Sequence, residues 1–425
     1  MNLLARAFAG AFDVRVGERA SLCWSFAMFF AVLASYFTVR PLREMMGASL
    51  PKGMLEYQFT IVFLIMLALV PLFGYVATRC PRRLVLPAVY GFFISNLVVF
   101  AALMRGAQTP EGVAPWLASA FFIWVSVTNL FLTSLFWSLM SDRWSSDAGK
   151  RLFGVIAAGG TIGSIVGPAV TGQLAGTIGT ANLPLLSAGY LGLALLASFQ
   201  LNKETVAPAR FEPKPPATLD AIIEGATRVF GSPYLGRIAL VILLANLVST
   251  FFYLEQTRLV KLAIPNRTAR VEFFASRDLI VSVATALIQV LGTAALLKRF
   301  GLSAALAALP VVSIIGLLAI GTVPTLAVVA GVTAIERIVT FALAVPAMRV
   351  LYTVVEPDEK YKAQNFIDTA VFRGGDAISG WMSLGFNKIG ASPALTIALT
   401  LPFAAMWLWS CLGLGKMQAE KAGRG

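Results

Sequence analysis

Ile61-Val-Phe-Leu-Ile-Met-Leu-Ala-Leu-Val-Pro-Leu-Phe-Gly-Tyr75 contains no charged residue, and Val-Ala-Thr-Arg79-Cys-Pro-Arg82-Arg83 follows it directly. The run does not alternate apolar with polar residues, as a strand of a membrane barrel would. Taken with its flanks, residues 57–77, it has the length that a helix needs to cross a bilayer. The basic cluster that closes it is of the kind that collects on the cytoplasmic side of a membrane.

The same pairing of apolar run and basic loop recurs. Lys298-Arg299 closes another apolar stretch, 216 positions after Arg82-Arg83. Arg40-x-x-Arg43 ends the first apolar run, and Arg258-x-x-Lys261 ends another 218 positions later. Gly159-Gly160 and Gly374-Gly375 both follow amphipathic charged stretches, 215 apart. A membrane bundle duplicated with charges at matching places is the build of a secondary transporter.

Composition agrees. Of 425 residues, 58% are hydrophobic and 13% charged, with a mean hydropathy of +0.78. Soluble domains carry about 25% charged residues, so the chain reads as an all-α polytopic membrane protein. Twelve apolar spans are expected, among them 21–38, 238–259, 326–351 and 369–386. The polar, Pro-rich stretch 202–216 separates six spans from six, and residues 218–230 read as an amphipathic helix on the membrane surface. The expected domains are therefore 1–201, a cytoplasmic linker 202–232, and 233–425. More than half of the 34 Lys and Arg lie in segments on the side of both termini. That bias puts the termini in the cytoplasm, and the chain is expected in a bacterial inner membrane.

The same bias accounts for the net charge of +13 without nucleic-acid binding. The sequence has no histidine, which removes imidazole metal sites and Ser-His or Cys-His catalysis. Cys23, Cys80 and Cys411 read as small apolar residues. No metal, cofactor or enzymatic activity is expected, and the chain is expected to act as a monomer in lipid.

Polar residues inside spans mark candidate sites, because a cation at the membrane midplane costs about 2.5–3.5 kcal/mol on insertion scales. Arg40, Arg43 and Glu44 end span one. Arg can grip a phosphate or carboxylate with two parallel hydrogen bonds, but these residues can also snorkel to the interface. Pro41 between them is expected to break the helix. In span seven Asn246, Thr250, Tyr253 and Thr257 share one face, and Glu255 and Arg258 are spaced to pair. This face either lines a cavity or holds helices together. Trp124 and Thr128 of span four share a face that could stack a planar group with Asn129 nearby, or pack a helix. Gly159, Gly163 and Gly167 fall every fourth residue, a pattern for close helix packing. Adjacent Glu336 and Arg337 point to different faces, so at least one needs a partner on another helix.

The loop Gly74 to Arg83 resembles the major facilitator superfamily motif Gly-x-Leu-Ala-Asp-Arg-x-Gly-Arg-Arg. Gly74, Arg79, Arg82 and Arg83 match, while Thr78 and Pro81 replace the Asp and the second Gly. The resemblance implies a major facilitator fold, twelve helices in two pseudo-symmetric six-helix bundles. It also implies a gating latch formed by Arg79, Arg82 and Arg83, echoed by Lys298 and Arg299. The ending Tyr36-Phe-Thr-Val-Arg40-Pro41-Leu-Arg43-Glu44 is similar to the ATP/ADP exchangers of plastids and intracellular bacteria, which carry Tyr and then Arg-x-x-Lys-Asp. Their segment entering span eleven is matched by Ile367-Asp368 and Gly375. Asp376 stands where that family has lysine, and Arg373 is close enough to neutralise it.

These resemblances imply a divergent relative that moves a small solute by alternating access. Six arginines in or at the ends of spans (Arg40, Arg43, Arg258, Arg337, Arg349, Arg373) oppose four carboxylates (Glu44, Glu255, Glu336, Asp376). The excess of positive charge favours an anionic or zwitterionic solute, with a proton carried by Glu255 or Asp376, or a counter-solute, as its coupling partner. A proton-coupled exporter of amphipathic compounds and a non-transporting receptor or scaffold remain alternatives.

Overall fold

A computed structural model describes residues 14–79, 82–106, 108–109, 112–203 and 219–423. Among the described residues the regular structure is helical apart from a two-residue antiparallel pair, β1 (Gln108–Thr109) with β2 (Gly112–Val113). In order the helices are α1 (Arg19–Ser49), α2 (Met54–Arg79), α3 (Arg82–Gly106), α4 (Pro115–Arg143), α5 (Ser146–Ile178) and α6 (Leu183–Lys203). They continue with α7 (Leu219–Gly231), α8 (Pro233–Ala263), α9 (Arg267–Leu291), α10 (Thr293–Thr322) and α11 (Leu326–Val339). The last are α12 (Val345–Leu351), α13 (Pro357–Phe366), α14 (Phe372–Lys388) and α15 (Pro393–Ala422). Among the described residues, 10 helices are long and apolar enough to cross a membrane, and residues 54–69 of α2 form a shorter apolar segment. The remaining expected span, span eleven at 369–386, corresponds to α14, which carries Arg373 and Asp376 and is correspondingly more polar.

The chain forms two compact units. The first comprises Met1–Ser49, Tyr75–Pro216 and Asn266–Leu279. The second comprises Leu50–Gly74, Ala217–Pro265 and Ile280–Gly425. This differs from the two contiguous halves that the sequence suggests, because most of α2 groups with the second unit and the start of α9 with the first. Small residues explain both assignments. On α14, a Cβ at Gly380 would lie 2.8 Å from the Glu56 carbonyl of α2. On α5, Gly172 and Gly176 bring the helix to Ala275 and Glu272 of α9.

In the first unit α1 is the central element and packs on α4, α5 and α6. Gly159, Gly163 and Gly167 let α5 approach it as their spacing predicts. A Cβ at each would fall within 3 Å of the backbone oxygens of Phe26, Phe30 and Ala34. Pro41 does not break α1, which continues to Ser49. A proline leaves carbonyls one turn back short of an amide donor. Nearby, the Thr38 carbonyl accepts the Thr171 hydroxyl at 3.1 Å, so α5 supplies a donor inside the membrane.

The second unit is built on α8, α10, α11, α14 and α15, with an apolar core running from Tyr234 through Phe252 to Trp407. A π turn at Thr340–Ala344 joins α11 to α12, and another at Ile367–Val371 joins α13 to α14. Pro346 lacks the amide that would bond the Ala342 carbonyl. The Thr293 hydroxyl fills that place at 2.8 Å, and the Gln289 amide donates to the Phe341 carbonyl at 3.0 Å. The linker helix α7 belongs to this unit. Gly225 lets it meet the Lys362 carbonyl of α13, and Glu224 pairs with Lys362 at 2.7 Å. The linker residues 204–218 lie outside the described residues.

Candidate functional site

The first unit holds a buried ionic cluster at the end of α1. Arg40 Nε lies 3.6 Å from Asp278 Oδ2 of α9 and 4.0 Å from Glu44 Oε1. Arg43 Nη2 lies 3.7 Å from the same Glu44 oxygen. Arg277 bonds Asp278 Oδ1 through Nη2 at 2.8 Å and Nε at 3.2 Å. Each guanidinium also lies against a ring: Arg40 on Phe37 at 5.3 Å, Arg43 on Phe122 at 4.6 Å, and Arg277 on Phe274 at 5.0 Å. Such stacking gives a desolvated cation part of the attraction it loses with water.

Three guanidiniums thus face two carboxylates, and no side chain of the five is more than 16% exposed. Isolated charges at such burial are costly, so the cluster is held by mutual pairing. The pairing is uneven. Asp278 takes two bonds from Arg277 on one oxygen, Oδ1, whereas Glu44 has its guanidinium neighbours at 3.7 and 4.0 Å, beyond hydrogen-bond length. The cluster therefore carries a surplus of positive charge and one loosely held carboxylate. Arg40, Arg43 and Glu44 were legible as candidates. Arg277 and Asp278 were not, because they precede the apolar run that starts at Leu279 and read as loop. The extension of α9 back to Arg267 brings them into the helix.

About one turn before Arg40, Tyr36 and Val39 line a small apolar cavity with Ser35, Leu97, Trp124, Val125, Thr128, Leu132, Ser187 and Leu191. The Trp124 indole sits among Phe93, Phe100 and Phe121, and its N–H is buried with no acceptor among the described residues. Thr128 spends its hydroxyl on the Trp124 carbonyl at 2.7 Å, and the Ser35 and Ser187 hydroxyls bond each other at 2.8 Å. Trp124 and Thr128 both line this cavity, whereas Asn129 is absent from its lining.

In the second unit the charged candidates pair along their own helices. Glu255 takes two bonds from Arg258, at 2.9 and 2.6 Å, and the arginine side chain is 47% exposed while the glutamate is 10% exposed. Arg373 pairs with Asp376 at 3.3 Å and lies over the Phe372 ring. The Tyr253 ring meets Phe59 edge-on at 5.9 Å, and Asn246 donates to the Phe372 carbonyl at 2.6 Å, tying α8 to α14. Lys261, the repeat of Arg43, gives its ammonium to the Leu50 carbonyl at 2.6 Å. The two repeats thus keep their cations but use them differently.

Lys298 and Arg299 are exposed, and Arg299 lies on the Phe300 ring at 5.6 Å. They precede Gly301, whose φ of 78° bends α10 where a residue with a Cβ would be strained. The side chains of Arg79, Arg82 and Arg83 lie outside the described residues. No group of three or more Cys, Asp or Glu suited to a metal occurs among the described residues.

No protein-family model matches the sequence, and no curated protein matches it. Solved structures do resemble the fold. A bacterial homologue of the iron transporter ferroportin in an inward-facing state aligns with a TM-score of 0.63 at 13% identity, over 98% of this chain and 100% of the other. An autoinhibited peptide transporter of the POT family gives 0.63 at 13% identity, over 94% and 96% of the chains. The nucleoside transporter NupG gives 0.58 at 17% identity, over 95% and 99%. The chain shares the fold of these structures, a polytopic all-helical membrane architecture.

Proposed function

We propose that the protein is a secondary active transporter that moves a small anionic or zwitterionic solute by alternating access. The observation that carries this reading is the surplus of buried guanidinium at the end of α1, where three arginines face Glu44 and Asp278. A fold with inward-directed arginines inside the membrane is suited to hold an anion, since ionisable groups there are costly and rarely idle. Arg43, 3.7 Å from Glu44, carries a fork of donors suited to a solute carboxylate or phosphate. The apolar cavity beside Trp124 offers a flat surface for the body of the same solute. The solute class thus rests on charge and shape in the first unit.

The likeness of the α1 ending to the ATP/ADP exchangers makes nucleotide-like anions the first to test. Asp376 argues against their substrate, because it places a carboxylate where that family has a cation. In this reading Arg79, Arg82, Arg83, Lys298 and Arg299 serve the inward gate, both termini face the cytoplasm, and the chain works as a monomer in the inner membrane. Thermal unfolding of purified protein against a panel of phosphorylated, carboxylated and cationic metabolites tests the solute class. Stabilisation by anions is expected, and stabilisation by cations alone would overturn it.

A further inference from the structure

Glu336 differs from every other carboxylate in the sites described above. It lies in α11 and is 6% exposed. Its partners are hydroxyls: Ser249 of α8 donates to Oε1 at 2.6 Å, and Thr340 lies 3.4 Å from the same oxygen while bonding the Glu336 carbonyl at 2.8 Å. No cation stands within ion-pair distance of it among the described residues. On α8, Glu255 and Arg258 hold each other, Lys261 holds the Leu50 carbonyl, and Arg237 lies by the Met417 sulfur and the Trp409 ring. The Tyr234 hydroxyl on the same helix bonds the Leu351 carbonyl, and the Tyr253 ring meets Phe59. On α10, Lys298 and Arg299 are exposed. Arg337 follows Glu336 directly and points from another part of the helix surface.

An ionised carboxyl in such a place is costly, and a protonated one is not. Hydroxyls suit both forms, since each donates to a carboxylate and accepts from a carboxylic acid, which a guanidinium cannot do. The position is also built into the fold. Ser249 and Gln256, two turns apart on α8, meet Glu336 and Thr333 on α11. The π turn Thr340–Ala344 starts four residues beyond, and such turns often mark functional sites in helices. Glu255 and Asp376, which the sequence offers as proton carriers, are each tied to an arginine on their own helix.

We propose that Glu336 is a proton-binding site, taking up and releasing a proton at the Ser249–Glu336–Thr340 cluster. Its use as the coupling step of transport rests on the function proposed above, whereas the binding of the proton does not. Infrared difference titration of the full-length protein in lipid, with no solute present, keeps the two apart. The expected result is a carboxylic-acid C=O band at neutral pH that fades as pH rises and is lost in Glu336→Gln. The band persists in Glu255→Gln and Asp376→Asn. Ser249→Ala keeps the carboxyl and shifts the midpoint of the same band, so the proposal stays testable if Glu336→Gln does not fold. A missing band, a band untouched by Glu336→Gln, or one that never titrates would each overturn the proposal.

Discussion

Arg40 Nε lies 3.6 Å from Asp278 Oδ2, so the end of α1 is joined to the start of α9 by an ion pair with side chains 11% and 1% exposed. This pair, with Arg277 on the other side of the aspartate, fixes the guanidinium cluster on which the function rests. Breaking a buried pair by removing one partner costs about 3–5 kcal/mol, because the other charge is left uncompensated. Asp278→Asn should therefore lower the thermal unfolding midpoint markedly, and Arg40→Gln on that background should add little further loss. Additive losses in this double-mutant cycle would show that the two residues do not act as a pair.

Gly163 tests the packing that places α1. A Cβ there meets the Phe30 backbone, whereas one at Gly154 of the same helix meets nothing within 4 Å. Gly163→Ala should cost about 1–3 kcal/mol through overpacking. Gly154→Ala should be neutral or slightly stabilising, since alanine is favoured over glycine within a helix. Unfolding midpoints of the two variants, measured side by side, separate the two effects.

Thr293 tests the repair of the π turn. Its hydroxyl bonds the Ala342 carbonyl that Pro346 leaves without an amide. Thr293→Val keeps the shape and removes the donor, and an unsatisfied buried carbonyl costs about 1–3 kcal/mol. The loss should largely vanish on a Pro346→Ala background, which restores the backbone donor. An equal loss on both backgrounds would contradict this role.

Glu18, just before α1, predicts an acid-sensitive step. Burial alone would raise its carboxyl, but it is outweighed by the Arg151 guanidinium at 2.9 Å and the Arg15 backbone amide at 3.1 Å, with the charges of both arginines. Its value is held below the ordinary carboxylate range. A lowered value contributes stability that is complete above the unfolded-state value, about 4.3, and is lost as pH falls through the folded-state value. The stability difference between wild type and Arg151→Gln should therefore be constant at neutral pH and shrink below about pH 4.3. A difference independent of pH would rule out the pair as its source.

Much of this molecule follows from local sequence rules. The unbroken run at Ile61, the glycines at 159, 163 and 167, and the pairs Glu255–Arg258 and Arg373–Asp376 depend on composition or on spacing along one helix. Their geometry is set by hydropathy and helical period alone. What was not legible depends on contacts between distant segments. Asp278 and Arg277 gain their place only when α9 extends back to Arg267. Pro41 stays helical in a bundle where the Thr171 hydroxyl reaches a neighbouring carbonyl. The grouping of residues 50–74 with the second unit rests on Gly380 meeting the Glu56 backbone, which no periodicity reveals. Glu336 was visible as a charge in a span, but its hydroxyl-only surroundings come from α8 and the π turn.

The central claim is that the guanidinium surplus at the end of α1 binds a transported anion. Counterflow of a labelled anion, chosen from those that stabilise the purified protein, into proteoliposomes carrying wild type or Arg43→Ala tests it most directly. Wild type should accumulate the label against unlabelled anion inside, and Arg43→Ala should lose that accumulation at least tenfold, as removal of a charge-assisted bidentate contact of about 1.5–3 kcal/mol implies. Undiminished counterflow by Arg43→Ala, or counterflow confined to cations, would contradict the account.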